Sequence, residues 1–176
     1  GNRMKSHEAT YENVVPANSY MVLRIDGRAF SKFTAAYQKP YDVRIEDAMN
    51  QTAIALRKEF HASLVYTQSD EITVVVPPKW NEKGQKFEDH IFGGRVQKIV
   101  SVAASRAAVA FDRALTNRVN DTLPTFDCRV MALDESEAAN AIYWRILDCE
   151  RNAVSGLFRY TFGHRAMQGK PCSVMK

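Results

Sequence analysis

A chain of 176 residues with 45% hydrophobic content can bury one core of ordinary size, which argues against intrinsic disorder and predicts a single domain over 1–176. A net charge of +4 and a pI near 9.0 are compatible with an anionic partner but too mild to name one. Cys128, Cys149 and Cys172 are far apart without a C-x-x-C pair, His7, His61, His90 and His164 lack H-x-x-x-H spacing, and no run approaches the ~20 apolar residues of a membrane span. A disulfide framework, transition-metal chemistry and a membrane partner are disfavoured, and a soluble, cytoplasmic protein is expected.

Taken in chain order, Ser19 to Asp26 alternates apolar and polar residues as a half-buried strand does, with Tyr20, Val22 and Phe30 expected on one side. Ile45, Met49, Ala53, Leu56 and Phe60 recur at three-and-four spacing and predict an amphipathic helix with basic residues near its end. "LVYT" and "ITVVV" read as two strands joined by "QSDE" in a hairpin, the second stopped by Pro77-Pro78. The polar segment 78–94 predicts a mobile surface loop. A second helix is expected from Arg95 to Leu115, a fourth strand at "TFDCRVMAL", and a third helix from a Ser136 cap to Gly163. Gly at position 1 and a stop at "PCSVMK" predict trimmed ends.

This order predicts an α+β fold with a ferredoxin-like βαββαβ unit and an additional C-terminal helix. Right-handed crossover makes strands one and two parallel, and the hairpin makes strand three antiparallel to both. If strand three pairs with strand one, the end of strand one lies beside the start of strand three, and Asp26 faces Asp70 and Glu71. Carboxylates brought together repel unless a cation neutralises them, and hard oxygen donors suit Mg²⁺ together with substrate phosphates. The plainer alternative is that Asp26-Gly27 and Ser69-Asp70 only form turns. Glu71 ranks below Asp26 and Asp70, since a strand-start residue can point away.

On the second helix, Arg95, Lys98, Arg106 and Arg113 form one stripe beside the apolar sector of Val96, Ile99, Val100, Ala103, Ala107, Ala110 and Phe111. The stripe reads either as a solvated face or as an anion track for nucleotide phosphates or RNA. Arg95 and Lys98, in the first turn, are the better triphosphate candidates. Lys39 and Asp42 in "QKPYDVR" could serve the nucleotide or the helix that follows. Arg145, Asp148, Asn152 and Arg159 share a sector of about 60° on the third helix, for which a polar outer face is the simpler reading. Weaker RNA candidates are Arg106, Arg113, Arg129, Arg145 and Asn152.

"RIDGRAFSKF", "KPYDVR", "YTQSDE", "RVQK", "FDCRV" and "YWRILDCERNA" resemble, in order and spacing, the tRNA-His guanylyltransferases and their guanylyltransferase-like relatives, from about Met21 to Gly163. The resemblance implies a polymerase-type palm that adds nucleotides to the 5′ end of tRNA in the 3′-to-5′ direction. By position it implies that Asp26, the backbone of Gly27 and Asp70 hold two Mg²⁺ ions. Arg28, Ala29, Phe30, Ser31 and Ser69 match nucleotide-contacting positions, and Lys39, Arg95 and Lys98 match triphosphate ligands. It implies activation of a 5′-monophosphate with ATP, then attack by the 3′-hydroxyl of GTP or another NTP. A homo-oligomer, dimer or tetramer, is also implied.

Where eukaryotic His-specific members have H-I-N-N-L-Y-N after the Asp-Cys pair, this chain has "ERNAVSG", keeping only Asn152 of the first three residues. That aligns it with the branch associated with templated repair of truncated tRNA 5′ ends, the strict tRNA-His enzyme being the alternative. The chain also stops well short of the family's usual C-terminus. A nucleotidyl cyclase would want a G-G-D-E-F-type hairpin where this chain has "QSDE". A non-catalytic RNA-recognition module would want exposed aromatics on strands one and three, and "ITVVV" has none.

Overall fold

In the computed structural model, residues 1–169 and 171–175 are described. Strand β1 (Tyr20–Gly27) sends Met21, Leu23 and Ile25 fully into the main core, while Tyr20 and Val22 face the other side of the sheet. Phe30 was expected beside Tyr20 and Val22 and instead joins Met21, Leu23 and Ile25. The reason is local: Ala29 takes a left-handed φ of 54° and starts the short helix α2 (Phe30–Phe33), which swings the ring to the helical face.

Helix α3 (Val43–Phe60) begins on Asp42, whose carboxylate accepts from the Arg44 amide and, in the turn before it, from the Gln38 amide. It buries Met49, Ala53, Leu56 and Phe60, as its spacing predicts. Strands β2 (Leu64–Gln68) and β3 (Glu71–Val76) form the expected hairpin, tighter than anticipated: only Ser69 and Asp70 lie between the paired residues Gln68 and Glu71. Helix α4 (Val96–Ala114) buries Ile99, Ala103, Ala107 and Phe111, and Arg95 is the residue that caps it. Strand β6 (Phe126–Leu133) completes the sheet, whose order is β2-β3-β1-β6. β3 and β6 both run antiparallel to β1, so β1 and β2 are parallel, as the βαββαβ order requires.

Helices α3 and α4 cover one face of the sheet. At the end where β1 finishes, Phe30 packs against Phe33, Phe111 and Phe126 with ring centroids 5.1 to 5.3 Å apart. The opposite face is crossed by α5 (Glu135–Phe162), which rests Ala138 and Ala141 on Val22 and Val75. The cap of α5 is Asp134, not Ser136: the Glu137 amide and the Ser136 hydroxyl both donate to Asp134 at 2.8 Å. Gly163, with φ 83°, ends the helix where expected.

Two features were not anticipated. Residues Asn2–Ala9 form an exposed helix α1. The polar segment 78–94 holds a hairpin of β4 (Lys79–Asn81) and β5 (Lys86–Glu88), joined by a Trp80–Phe87 ring contact and a 2.7 Å Lys79–Glu88 ion pair, and then a 3₁₀ turn over Ile91–Gly94. Short helices α6 (His164–Met167) and α7 (Cys172–Met175) follow α5. Among the described residues no helix is long and apolar enough to cross a membrane.

Candidate active site

The end of β1 and the β2–β3 turn are fastened together: the Gly27 amide donates to the Asp70 carbonyl at 2.9 Å. Gly27 has no room for a side chain, since a Cβ there would lie 2.4 Å from the Phe30 ring. Asp-Gly is thus more than a turn signal, because the glycine lets the strand end press onto the buried Phe30 while Asp26 points to the opposite face. Register sets the neighbours of Asp26: Glu71 stands directly across on β3 and Asp127 directly across on β6. Directly opposed residues share a face, so Glu71, Asp26 and Asp127 form one row of carboxylates, with Asp70 in the adjoining turn.

The next row along the same face is Tyr66, Thr73, Arg24 and Arg129. Two like-charged cross-strand pairs in succession, Asp26–Asp127 and Arg24–Arg129, destabilise a sheet taken by themselves. Burial and the charges of Asp70 and Asp127 push the Asp26 carboxyl above its ordinary range, opposed by Arg24 and Arg145. Glu71 is likewise pushed upward by burial, and its two partners are Arg145, at 2.6 Å, and Arg24, at 3.7 Å. Asp127 pairs with Arg129 at 3.6 Å, and Asp70 accepts from the Ser69 hydroxyl at 3.1 Å.

Among the described residues no three His, Cys, Asp or Glu side chains form a ready-made metal cage. Asp26 and Asp70 nevertheless fit Mg²⁺. They are hard oxygen donors that repel each other at an open sheet edge, and Mg²⁺ commonly takes only one or two carboxylates and fills its shell with water and phosphate oxygens.

Other expected site residues divide into two groups. Arg28, Ala29 and Ser31, which follow β1, and Ser69, in the β2–β3 turn, are exposed, as is Lys39, which donates to Thr34 Oγ1 at 3.3 Å. Phe30 follows β1 too, but its ring is only 4% exposed and belongs to the core. Asp42 is spent on capping α3 and on a bidentate pair with Arg44, whose hydrogen bonds hold its carboxyl far below the usual range.

Arg95 and Lys98 are not brought to this edge. The chain enters α4 beside the start of β1, where the Val15 amide donates to the Gly94 carbonyl and Val14 bridges Arg95. Asp26 stands at the other end of that strand, on the order of 20 Å along it at about 3.4 Å per residue. Arg95 pairs with Glu12 at 3.5 Å, and Lys98 lies 5.1 Å from the Phe92 ring centre. Within one chain Arg95 and Lys98 therefore lie away from Asp26, because antiparallel packing of α4 on α3 puts the start of α4 at the far end.

Of the RNA candidates, Arg106 pairs with Glu59 at 3.5 Å, while Arg113 and Arg129 are exposed. Asn152 donates to Asp148 at 3.3 Å. Arg145 is buried at 7% exposure, which corrects its reading as part of a polar outer face. Asp127, Arg24 and Trp144, all at or beside the carboxylate row, were missed. The signal for Asp127 and Arg24 lay in strand register, and that for Trp144 in how α5 packs on the sheet, neither of which a single sequence displays.

The sequence profile of the tRNAHis guanylyltransferase family matches residues 1–134, from α1 to the start of α5 and through both Asp26 and Asp70. The chain belongs to the tRNAHis guanylyltransferase family. It is 36% identical over 184 aligned residues to an uncharacterised protein of Acanthamoeba polyphaga mimivirus, covering 93% of this chain and 63% of that one. It is 30% identical over 158 residues to the tRNA(His) guanylyltransferase of Schizosaccharomyces pombe, covering 86% of this chain and 56% of that one. This member of the family thus spans about three fifths of the length of such curated relatives. A solved bacterial tRNA(His) guanylyltransferase-like protein in complex with ATP superposes with a TM-score of 0.92 at 33% identity, covering 99% of this chain and 76% of that one. A complex with GTP superposes at 0.83 and 32% identity, covering 92% of this chain and 76% of that one. The Saccharomyces cerevisiae tRNA(His) guanylyltransferase, at 19% identity and 0.79, covering 97% and 80%, shares the fold.

Proposed function

We propose that this chain is the catalytic palm of a nucleotidyltransferase that adds nucleotides to tRNA 5′ ends in the 3′-to-5′ direction, choosing each by pairing with the opposing base. The observation that carries the reading is the meeting of Asp26 and Asp70 on one open sheet edge of a guanylyltransferase-family fold. The solved bacterial relatives, bound to ATP and to GTP, support NTPs as substrates.

The reaction has two steps. An oxygen of the tRNA 5′-monophosphate attacks the α-phosphorus of ATP and pyrophosphate leaves. The 3′-hydroxyl of the incoming NTP then attacks the activated 5′-phosphorus, loses its proton, and AMP departs. Two Mg²⁺ ions held by Asp26, the Gly27 backbone and Asp70 would lower the pKa of that hydroxyl and neutralise the phosphates. Arg28, Ser31, Lys39 and Ser69, all exposed, orient the nucleotide. Arg95 and Lys98 reach it only from a second copy of the chain, in keeping with a homo-oligomer.

"ERNAVSG" on α5 lacks the side chains of the His-Ile-Asn-Asn motif, so templating supplies the discrimination. A correct Watson–Crick match aligns the NTP hydroxyl, and a mismatch lowers rate through misalignment. The test offers Mg²⁺, ATP and each NTP separately to 5′-truncated, 5′-monophosphorylated tRNA-His and two other truncated tRNAs. Extension of all three by the templated nucleotide is expected. Addition of G to tRNA-His alone restores the His-specific reading, and RNA binding without extension of any of them would leave a non-catalytic module.

A further inference from the structure

Arg145 lies on the part of α5 that passes the carboxylate row, and it is the one charged residue among the buried positions of that helix. Its Nε donates to Glu71 Oε1 at 2.6 Å and its second guanidinium nitrogen to Asp148 Oδ2 at 2.7 Å. Glu71, 8% exposed, stands opposite Asp26, and its other oxygen is 3.7 Å from Arg24 Nε. The Trp144 ring is overlaid by both cations, Arg145 at 4.4 Å and Arg24 at 5.5 Å. Asp148 in turn takes Arg151 and Asn152. One connected set of side chains therefore runs from Asp26's neighbour to the "ERNAVSG" stretch.

A buried ion pair is poor evidence of stability, because desolvation offsets most of its attraction. Its place beside the metal edge calls for another account. We infer that Arg145 is a positioning residue for the nucleotidyl transfer: it holds Glu71 as its counter-ion, outside the metal shell, and thereby fixes α5 against the edge formed by Asp26 and Asp70. One Glu71 oxygen accepts from Arg145 and the other lies within ion-pair distance of Arg24, so Glu71 acts through Arg145 and not on the reacting phosphates. Arginine is required because one planar fork must reach Glu71 and Asp148 at once, which a lysine ammonium cannot do. The inference rests on the proposed reading of the carboxylate edge.

The chain has two tryptophans, so Trp80→Phe leaves Trp144 as the reporter. In that background the intact protein is titrated with Mg²⁺ and GTP while Trp144 emission is followed, beside steady-state extension of truncated tRNA. The variants are Arg145→Lys, Glu71→Gln, and the Arg145→Met/Glu71→Gln double, which removes both charges of the Arg145–Glu71 pair together. Each is expected to lose about tenfold or more in kcat with KM for NTP within about twofold, the double being no worse than the worse single. The Mg²⁺ midpoint stays within about twofold in Glu71→Gln, whereas loss of a direct ligand shifts it by about tenfold or more. A tenfold midpoint shift in Glu71→Gln, multiplicative losses in the double, or near wild-type kcat in Arg145→Lys each overturn the inference. So does a Trp144 emission that ignores Mg²⁺ in the parent. If the parent extends no RNA, the proposed activity falls, and the emission arm still decides: an unchanged Glu71→Gln midpoint with altered Trp144 emission in Arg145→Lys supports the coupling, and a shifted midpoint or unaltered emission refutes it.

Discussion

At the residue scale, Asp26 is placed against its own electrostatic interest, with Asp70 and Asp127 nearby and burial adding to the cost. Asp26→Ala and Asp70→Ala are expected to reduce nucleotide addition below about one hundredth of wild type, each by removing an oxygen ligand. Without metal, their denaturation midpoints should equal or slightly exceed that of the parent, since repulsion is relieved. Substantial Mg²⁺-dependent extension by either variant would count against the assignment. Asp42 behaves in the opposite way: hydrogen bonds from Arg44 and from the Gln38 amide stabilise its charged form. A carboxyl whose folded pKa is depressed contributes stability that is present above its unfolded pKa and lost as pH falls toward the folded one. Asp42→Ala should therefore cost about 1–2 kcal/mol near neutrality, with the gap to wild type narrowing as pH drops below about 4. Urea midpoints of both proteins at pH 7 and pH 3.5 measure it, and a gap that widens in acid would refute it.

At the scale of elements, α3 and α4 pack closely because α4 presents Ala103 and Ala107 to its neighbours, both fully buried. Ala107→Leu would overpack that seam at a cost of about 1–3 kcal/mol, readable as a lower denaturation midpoint. An unchanged midpoint would mean that the helices can separate freely. The three-and-four spacing of both helices made their buried faces legible in the sequence. Helix α5 was harder to read. Its 28 residues bury only Ala138, Ala141 and Arg145, so periodicity carried little signal, and a buried arginine looks like a surface residue until its partner is known. The hairpin of β4 and β5 was hidden in a polar segment because three-residue strands are too short to show alternation.

At the scale of the molecule, Arg95 and Lys98 stand at the end of the sheet opposite the carboxylates. If they serve a nucleotide there, they do so from another copy of the chain. Arg95→Ala and Asp26→Ala proteins, each weak alone, should then recover activity when mixed and allowed to exchange subunits, up to about a quarter of wild type for random pairing into dimers with independent sites. Assaying the mixture beside each variant alone checks this, and a mixture no better than its better component would refute a shared site.

What the sequence determined by itself was local or topological: the alternation of β1, the faces of α3 and α4, and the βαββαβ order. That order brought Asp26 toward Asp70 on the condition that strand three pairs with strand one, as it does, because the end of one strand then lies beside the start of the other. Tertiary structure decided everything that depends on register and packing between distant segments. It put Asp127 across from Asp26 and bound Arg145 to Glu71. It also carried Arg95 and Lys98 away from the site. These partners are separated by tens of residues along the chain, and only the completed sheet, with helices laid on both faces, fixes which of them meet.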